Sequence, residues 1–223
     1  MGKTESMQAC ETEGSPNNPR AEKKRARDAI LEASETVFGE AGIKGATTRE
    51  IARVAGVNET TLFRNFASKD VLLKAVIEKN LTEAHTLIYS AEWTYDLRAD
   101  LIQYAELYTN FVKRHAPILR VVIGEMPRLP DEARQLLHPS NLPMTCKLLE
   151  YLDGAKQRGQ IRTDIDSLQM AHLFLSVLLM SVLKMSMVDV PCAHEHIINT
   201  VVEMVLNGIF PGNETGCSAN QKD

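Results

Sequence analysis

The stretch TTREIARVAGVNETTLFRNF, residues 47 to 66, holds two helix starts and one glycine within twenty residues. Thr47 followed by Glu50 is the pattern of a capping box. The threonine oxygen accepts from the third amide of the helix, and the glutamate reaches back to the cap's own amide. The helix that starts there turns Ile51, Ala52 and Ala55 inward and stops at Gly56, which can take the positive φ of a tight helix exit. Asn58 then caps a second helix, with Val57 and Leu62 at the positions of a hydrophobic staple. Neither helix exceeds about two turns, so each needs the other, and a third element, for burial. A small residue at Ala52 lets the two cross closely. Glu59, Thr60, Thr61, Arg64 and Asn65 remain outward on the second helix, all able to donate or accept hydrogen bonds. A structural helical hairpin would need only the glycine. Caps, staple, small residue and polar face together predict a helix-turn-helix whose second helix is sized for a major groove.

Helical periodicity extends on both sides. From residue 21 to 41 the apolar set Ile30, Leu31, Ala33, Val37, Phe38 and Ala41 recurs at spacings of three and four, and Gly42 follows as a stop. Ser68 caps a segment reaching about Ser90, with Val71, Leu72, Ala75, Val76, Leu81 and Ala84 on its stripe. Further helices are predicted at about 97–114, 117–126, 131–157, 166–188 and 193–208, with Pro117, Pro130 and Pro191 near starts. Strand signals are absent, so the predicted fold class is all-α. The predicted organisation is a tail over 1–20, a three-helix DNA-binding domain over 21–84, a helical bundle domain over 85–210 and a tail over 211–223.

Residues 20–80 carry 12 Lys and Arg against 9 Asp and Glu, whereas residues 81–223 carry 12 against 17. The overall charge of −4 therefore hides a mildly basic first part suited to an anionic partner. With 223 residues, 44% of them hydrophobic, the chain can bury a sizeable core. Cys10, Cys146, Cys192 and Cys217 lack CxxC spacing and favour a reducing compartment. The polar N-terminus has no apolar export segment, and the run LFLSVLLMSVL, Leu173 to Leu183, is too short to span a bilayer, so a cytoplasmic protein is expected.

At this point the residues RARDAILEASETVFGEAGIKGATTREIARVAGVNETTLFRNFASKDVLLKAVI resemble the DNA-binding domain of the TetR family of bacterial transcriptional regulators. The resemblance covers about a quarter of the chain; the remainder matches in length and helical character. It implies a homodimeric repressor of operator DNA whose C-terminal domain binds a small effector and thereby releases the DNA. By position, Thr48 and Lys69 match the family's phosphate contacts, and Thr60, Thr61 and Arg64 fall where the family reads bases or nearby backbone. The full DNA-facing set is Thr47, Thr48, Arg49, Asn58, Glu59, Thr60, Thr61, Phe63, Arg64, Asn65 and Lys69. Phe63 stands where tyrosine is common and Asn65 where histidine is common; the lost phenolic hydroxyl bears on affinity. An arginine such as Arg64 can bind guanine O6 and N7 bidentately or touch phosphate alone.

Other constellations carry less. In CAHEH, helix geometry sets Cys192 and His196 on one face and His194 away, so a metal would need a further ligand, and neither metal nor cofactor is expected. His115 and His172 lie on mostly apolar helices, as satisfied core histidines or as groups that orient an effector. Asp164 and Asp166 fit a helix-capping turn, and with no phosphate loop or nucleophile elbow an enzyme is not expected. An adaptable apolar effector site is predicted around Trp93, Tyr108, Phe111, Met144 and Phe174. The helix over 166–188 is apolar nearly all round and requires cover on more than one side. A four-helix dimer seam through Leu178, Val182, Ile198, Val202 and Val205 would supply it. The competing class is a metal- or protein-responsive sensor, or a constitutive DNA-binding regulator, with no small-molecule effector.

Overall fold

The computed structural model describes residues 19–138, 141–187 and 194–209. Cys10, Cys192, Cys217 and nearly all of both tails lie outside them. Every regular element among the described residues is helical: α1 (Pro19–Gly45), α2 (Thr48–Val54), α3 (Glu59–Asn65), α4 (Lys69–Tyr89), α5 (Leu97–Arg114), α6 (Ala116–Glu125), a single 3₁₀ turn (Met126–Arg128), α7 (Asp131–Leu136), α8 (Pro143–Gln157), α9 (Ser167–Met185) and α10 (His194–Ile209). The helix stops fall where the sequence placed them. Gly42 takes φ 72° and ψ 167°, a region open essentially to glycine, and breaks α1 three residues before its end. Gly56 takes φ 66° after α2.

Caps are made by side chains read from the sequence. Ser68 Oγ accepts from Val71 N at 3.2 Å, and Asp166 Oδ1 from Leu168 N and Gln169 N at 2.9 and 3.1 Å. Asp164 instead pairs with Arg162, its Oδ1 accepting from Nε at 2.9 Å. One predicted helix is corrected: 131–157 is two helices, α7 and α8. Pro143 has no N–H for a continuing helix and pushes Leu142 to an extended φ, ψ of −75°, 126°, so α8 begins afresh at the proline.

Two cores result. The first gathers Ile30, Phe38, Ile51, Leu62, Phe66 and Leu72 from α1 to α4, and takes in Ile118 and Val122 of α6 and Ala133 of α7. The second gathers Leu101, Tyr104, Leu148, Phe174, Leu178 and Val202 from α5, α8, α9 and α10. Helix α4 belongs to both, with Leu72 to Ile77 in the first and Ala84 and Ile88 in the second. So α6 sits on the DNA-binding half although it follows α5 in the chain. Its approach to α1 is close: a Cβ on Gly39 would stand 2.8 Å from Pro117 Cβ.

The second core is pinned by Asp100, which is 1% exposed. Its carboxylate accepts from Thr94 N and Oγ1 at 2.9 and 2.7 Å, Tyr95 N at 2.9 Å and Tyr151 Oη at 2.7 Å. Burial pushes this carboxyl up, but the hydrogen bonds from Thr94, Tyr151 and Tyr95 outweigh it and hold the pKa below the usual range. Tyr95 sits at a left-handed φ of 66°, and its N–H bond to Asp100 helps hold it there. Asp100→Ala strands these donors and is expected to cost about 2–4 kcal/mol. Because the folded-state pKa is depressed, the ionised carboxylate's contribution is present above the unfolded value and is lost as pH falls through the folded one. Chemical denaturation of both proteins across that acid range checks it. A difference that does not shrink toward low pH would remove the charge from the account.

Candidate functional site

The turn between α2 and α3 forms as its residues require. Thr47 Oγ1 accepts from Glu50 N at 3.1 Å, and Asn58 Oδ1 from Thr61 N at 2.7 Å. Val57 N donates to Ala52 O at 3.0 Å and Gly56 N to Arg53 O at 3.2 Å, the paired bonds of a Schellman exit. Ala52 and Leu62 are buried at the crossing and Val57 packs on the same core. One half of the predicted capping box is absent: the Glu50 carboxylate accepts from Arg53 Nε and Nη2 at 2.9 and 2.6 Å instead of reaching back to Thr47 N. A bidentate guanidinium three residues along the helix is the stronger donor.

What this turn presents outward is largely polar. Thr47, Arg49, Asn58, Thr60, Phe63 and Arg64 are exposed, and Thr48, Glu59, Thr61, Asn65 and Lys69 are half-buried. Thr60, Phe63 and Arg64 share one face of α3 at spacings of three and four. Phe63 is 48% exposed, so it is not a core residue. Arg49 and Arg64 make no ion pair among the described residues, whereas Arg53 is held by Glu50, and Arg27 stacks 4.4 Å over the Phe66 ring. Lys69 Nζ donates to Ala46 O at 2.7 Å and to Lys44 O at 3.4 Å. An ammonium has three N–H groups, so one remains for a phosphate. Asn65 donates from Nδ2 to Thr61 O at 2.8 Å. The signal for Lys69's second role, an α1 end that leaves carbonyls open, is present in the sequence as Gly42 but is not read from it.

Behind this face lies a cavity of about 410 Å³. Its wall combines α4 (Ile77, Asn80, Leu81, Ala84), α5 (Tyr108, Phe111, Val112), α6 (Ile118, Leu119, Val122, Ile123) and α9 (His172, Leu175, Ser176, Leu179), with Met144 and Thr145 of α8. Three of the five predicted effector residues, Tyr108, Phe111 and Met144, line it. Trp93 does not: it stacks on Tyr151 and Tyr104, at centroid distances of 4.1 and 5.6 Å, with Lys147 Nζ 5.6 Å from its ring. Phe174 does not either, because α9 turns positions 172, 175, 176 and 179 to the cavity and 174 to the core beside α10. Burial raises the Tyr108 hydroxyl well above its usual pKa, which keeps it neutral.

Four of the five residues predicted for the seam, Leu178, Val182, Ile198 and Val202, lie inside the protomer's own core at 0 to 4% exposure. The apolar side chains turned outward are Leu173, Val177 and Met180 on α9 and Met204 on α10, from 44 to 68% exposed, with half-buried Val205 beside them. Leu173, Val177 and Met204 edge a shallow apolar groove between the two helices. By length and composition alone α9 is also apolar enough to cross a membrane. Cys192 lies outside the described residues, His196 is exposed, and no trio of His, Cys, Asp and Glu is gathered for a metal among the described residues.

Comparison with known proteins agrees on both halves. Residues 30–76 match the model of bacterial regulatory proteins of the tetR family, and residues 99–207 match the C-terminal domain of AefR-like transcriptional repressors. The HTH-type transcriptional regulator YvkB of Bacillus subtilis is 26% identical over 67% of this chain and 77% of its own length. The class A tetracycline repressor from transposon 1721 in Escherichia coli is 36% identical over 46% of this chain and 47% of its own. A TetR-family transcriptional regulator from Mesorhizobium loti superposes with a TM-score of 0.69 at 20% identity, covering 85% of this chain and 98% of that one, and so shares the fold.

Proposed function

The chain belongs to the TetR family of bacterial regulatory proteins, and we propose that it represses transcription from an operator, held by a homodimer, until a small, mostly apolar molecule enters the cavity behind α6. Sequence-specific DNA binding without catalysis is the business of the family. The reading of this chain's own effector rests on one observation. The cavity wall and the DNA-binding core share α4 and α6, so a ligand that shifts either helix also shifts the DNA-binding core. Helix α4 runs from Lys69 beside the DNA-facing turn to Tyr89 in the second core, about 30 Å at 1.5 Å per residue. A tilt at its far end moves α3. Two reading helices must meet major-groove faces roughly 34 Å apart, so a ligand that prefers another separation weakens the operator complex by its differential affinity. The protein would act in the cytoplasm, with Leu173, Val177, Met180, Met204 and Val205 as the two-fold seam.

On DNA, Thr60, Thr61, Phe63 and Arg64 face the bases in this reading, and Thr47, Thr48, Arg49 and Lys69 hold phosphates. Arg64→Ala is expected to cost about 1–3 kcal/mol on the best site and to relax base preference. Lys69→Ala weakens all sequences alike and lowers the salt slope by about one counterion. Anisotropy titrations of the upstream DNA and of base-scrambled controls, at several salt concentrations, distinguish the two. An Arg64→Ala profile matching wild type removes Arg64 from base reading. The effector part is tested by linkage: whatever factor the ligand takes from operator affinity, the operator must take from ligand affinity. Equal ligand affinities with and without operator would favour constitutive DNA binding.

A further inference from the structure

The cavity wall is apolar except at a few points, and two of those are unmet. Asn80 Oδ1 and His172 Nε2 are both buried without a hydrogen-bond partner among the described residues. They come from different helices, α4 and α9, and both side chains line the cavity. A buried acceptor or donor left unpaired is expensive, so such atoms mark where a bound molecule would supply the missing bond. No Asp, Glu, Lys or Arg lines the cavity among the described residues, and the Tyr108 hydroxyl stays neutral. An ionised ligand would therefore give up its hydration for no opposite charge.

Building on the effector reading above, we propose that the effector is an uncharged, largely apolar molecule carrying a hydroxyl group, a phenol or an aliphatic alcohol, that hydrogen-bonds Asn80 and His172. The hydroxyl follows from the two partners. An Asn amide offers its oxygen or, after a half-turn, its nitrogen, and a neutral imidazole nitrogen donates or accepts according to tautomer. A hydroxyl donates one hydrogen and accepts at two lone pairs, so it satisfies every combination except two acceptors, which a half-turn of the Asn80 amide or the other His172 tautomer removes. A carbonyl only accepts and leaves Asn80 Oδ1 unmet in the orientation seen. The cavity's 410 Å³ lies in the lower part of the range of about 300–1,000 Å³ common to small-molecule sites.

The test uses the full chain and three matched probes, para-hexylphenol, hexylbenzene and para-hexylbenzoate, titrated by calorimetry at neutral pH. The phenol is expected to bind at least about tenfold more tightly than either other probe. Asn80→Leu and His172→Leu are each expected to weaken the phenol about five- to tenfold and to leave hexylbenzene unchanged or tighter. Removing an unpartnered buried polar atom does not cost the fold, so both variants should melt no lower than wild type without ligand. Hexylbenzene or para-hexylbenzoate binding as tightly as the phenol overturns the proposal, as does binding of none of the three. Operator affinity read alongside separates this from the repressor reading. If the phenol binds with the expected pattern but leaves operator affinity unchanged, the ligand class stands and effector release falls. If the operator is released equally by all three probes, release stands and the hydroxyl class falls.

Discussion

Met180→Glu is expected to convert the dimer to a monomer and to abolish tight operator binding while leaving the protomer folded. Met180 is 58% exposed on α9, one heptad from Leu173 at 62% and three residues from Val177 at 44%, so the three form one stripe that the protomer itself does not cover. In a two-fold seam each substitution counts twice. Every uncompensated carboxylate buried there costs about 3–5 kcal/mol, so dissociation should rise by at least about a thousandfold. Operator affinity falls with it, because one reading head gives up half the contacts. The informative control is Leu178→Glu, two residues away and 0% exposed. That carboxylate would enter the protomer's own core, and the expected result is loss of the folded protein. Sedimentation velocity with thermal melts separates the two cases. A Met180→Glu protein that stays dimeric at micromolar concentration would place the seam elsewhere.

That control marks the border of what the sequence makes legible. The helix-turn-helix is readable residue by residue because its signals are local: Thr47 and Asn58 cap by bonds three residues long, and Gly56 is needed for a single φ. Helix α9 is readable as apolar on all sides, but periodicity does not say which face meets the protomer core. Leu178 and Val182 turned out to be inside, and Leu173, Val177 and Met180 outside. The cavity is harder still. It is a gap between five helices, set by how they pack, so choosing aromatic residues by type finds Tyr108 and Phe111 but also Trp93 and Phe174, which fill space elsewhere. The better signal was polar residues interrupting apolar stripes. Asn80 stands between Ile77 and Ala84 on α4, and His172 between Ala171 and Leu175 on α9. The α7–α8 break had a local signal too, in Pro143, but it competed with a long apolar repeat on both sides of it.

His115→Leu is expected to leave ligand and operator affinities, each measured alone, within a fewfold of wild type while collapsing the linkage between them. His115 stands at the junction of α5 and α6 and is 4% exposed. Its Nδ1 lies 2.6 Å from Glu35 Oε1 on α1, and its Nε2 lies 3.4 Å from Glu83 Oε1 on α4. On the other side its ring is tilted against Phe111, centroids 4.5 Å apart, and Phe111 lines the cavity. One side chain thus joins the cavity wall to the helix that carries the DNA-binding core and to the helix that spans both cores. Burial pushes the Glu35 carboxyl up, but the hydrogen bond and charge of His115, with Lys79 at 3.5 Å, outweigh it and hold the pKa below the usual range. A leucine keeps an apolar contact to Phe111 but ends both ties to glutamate. Coupling between an effector and its site is typically about 5- to 150-fold, and in His115→Leu it should fall toward one. Stability should drop by only about 1–2 kcal/mol, since Glu35 keeps Lys79. Its depressed folded-state pKa contributes stability above the unfolded value that is lost as pH falls through the folded one, so the deficit of the variant should shrink in acid. Titrating para-hexylphenol with and without operator, on both proteins, decides the matter. A linkage factor in His115→Leu equal to that of wild type would route the signal through the α1–α6 contact at Gly39 and Pro117 instead.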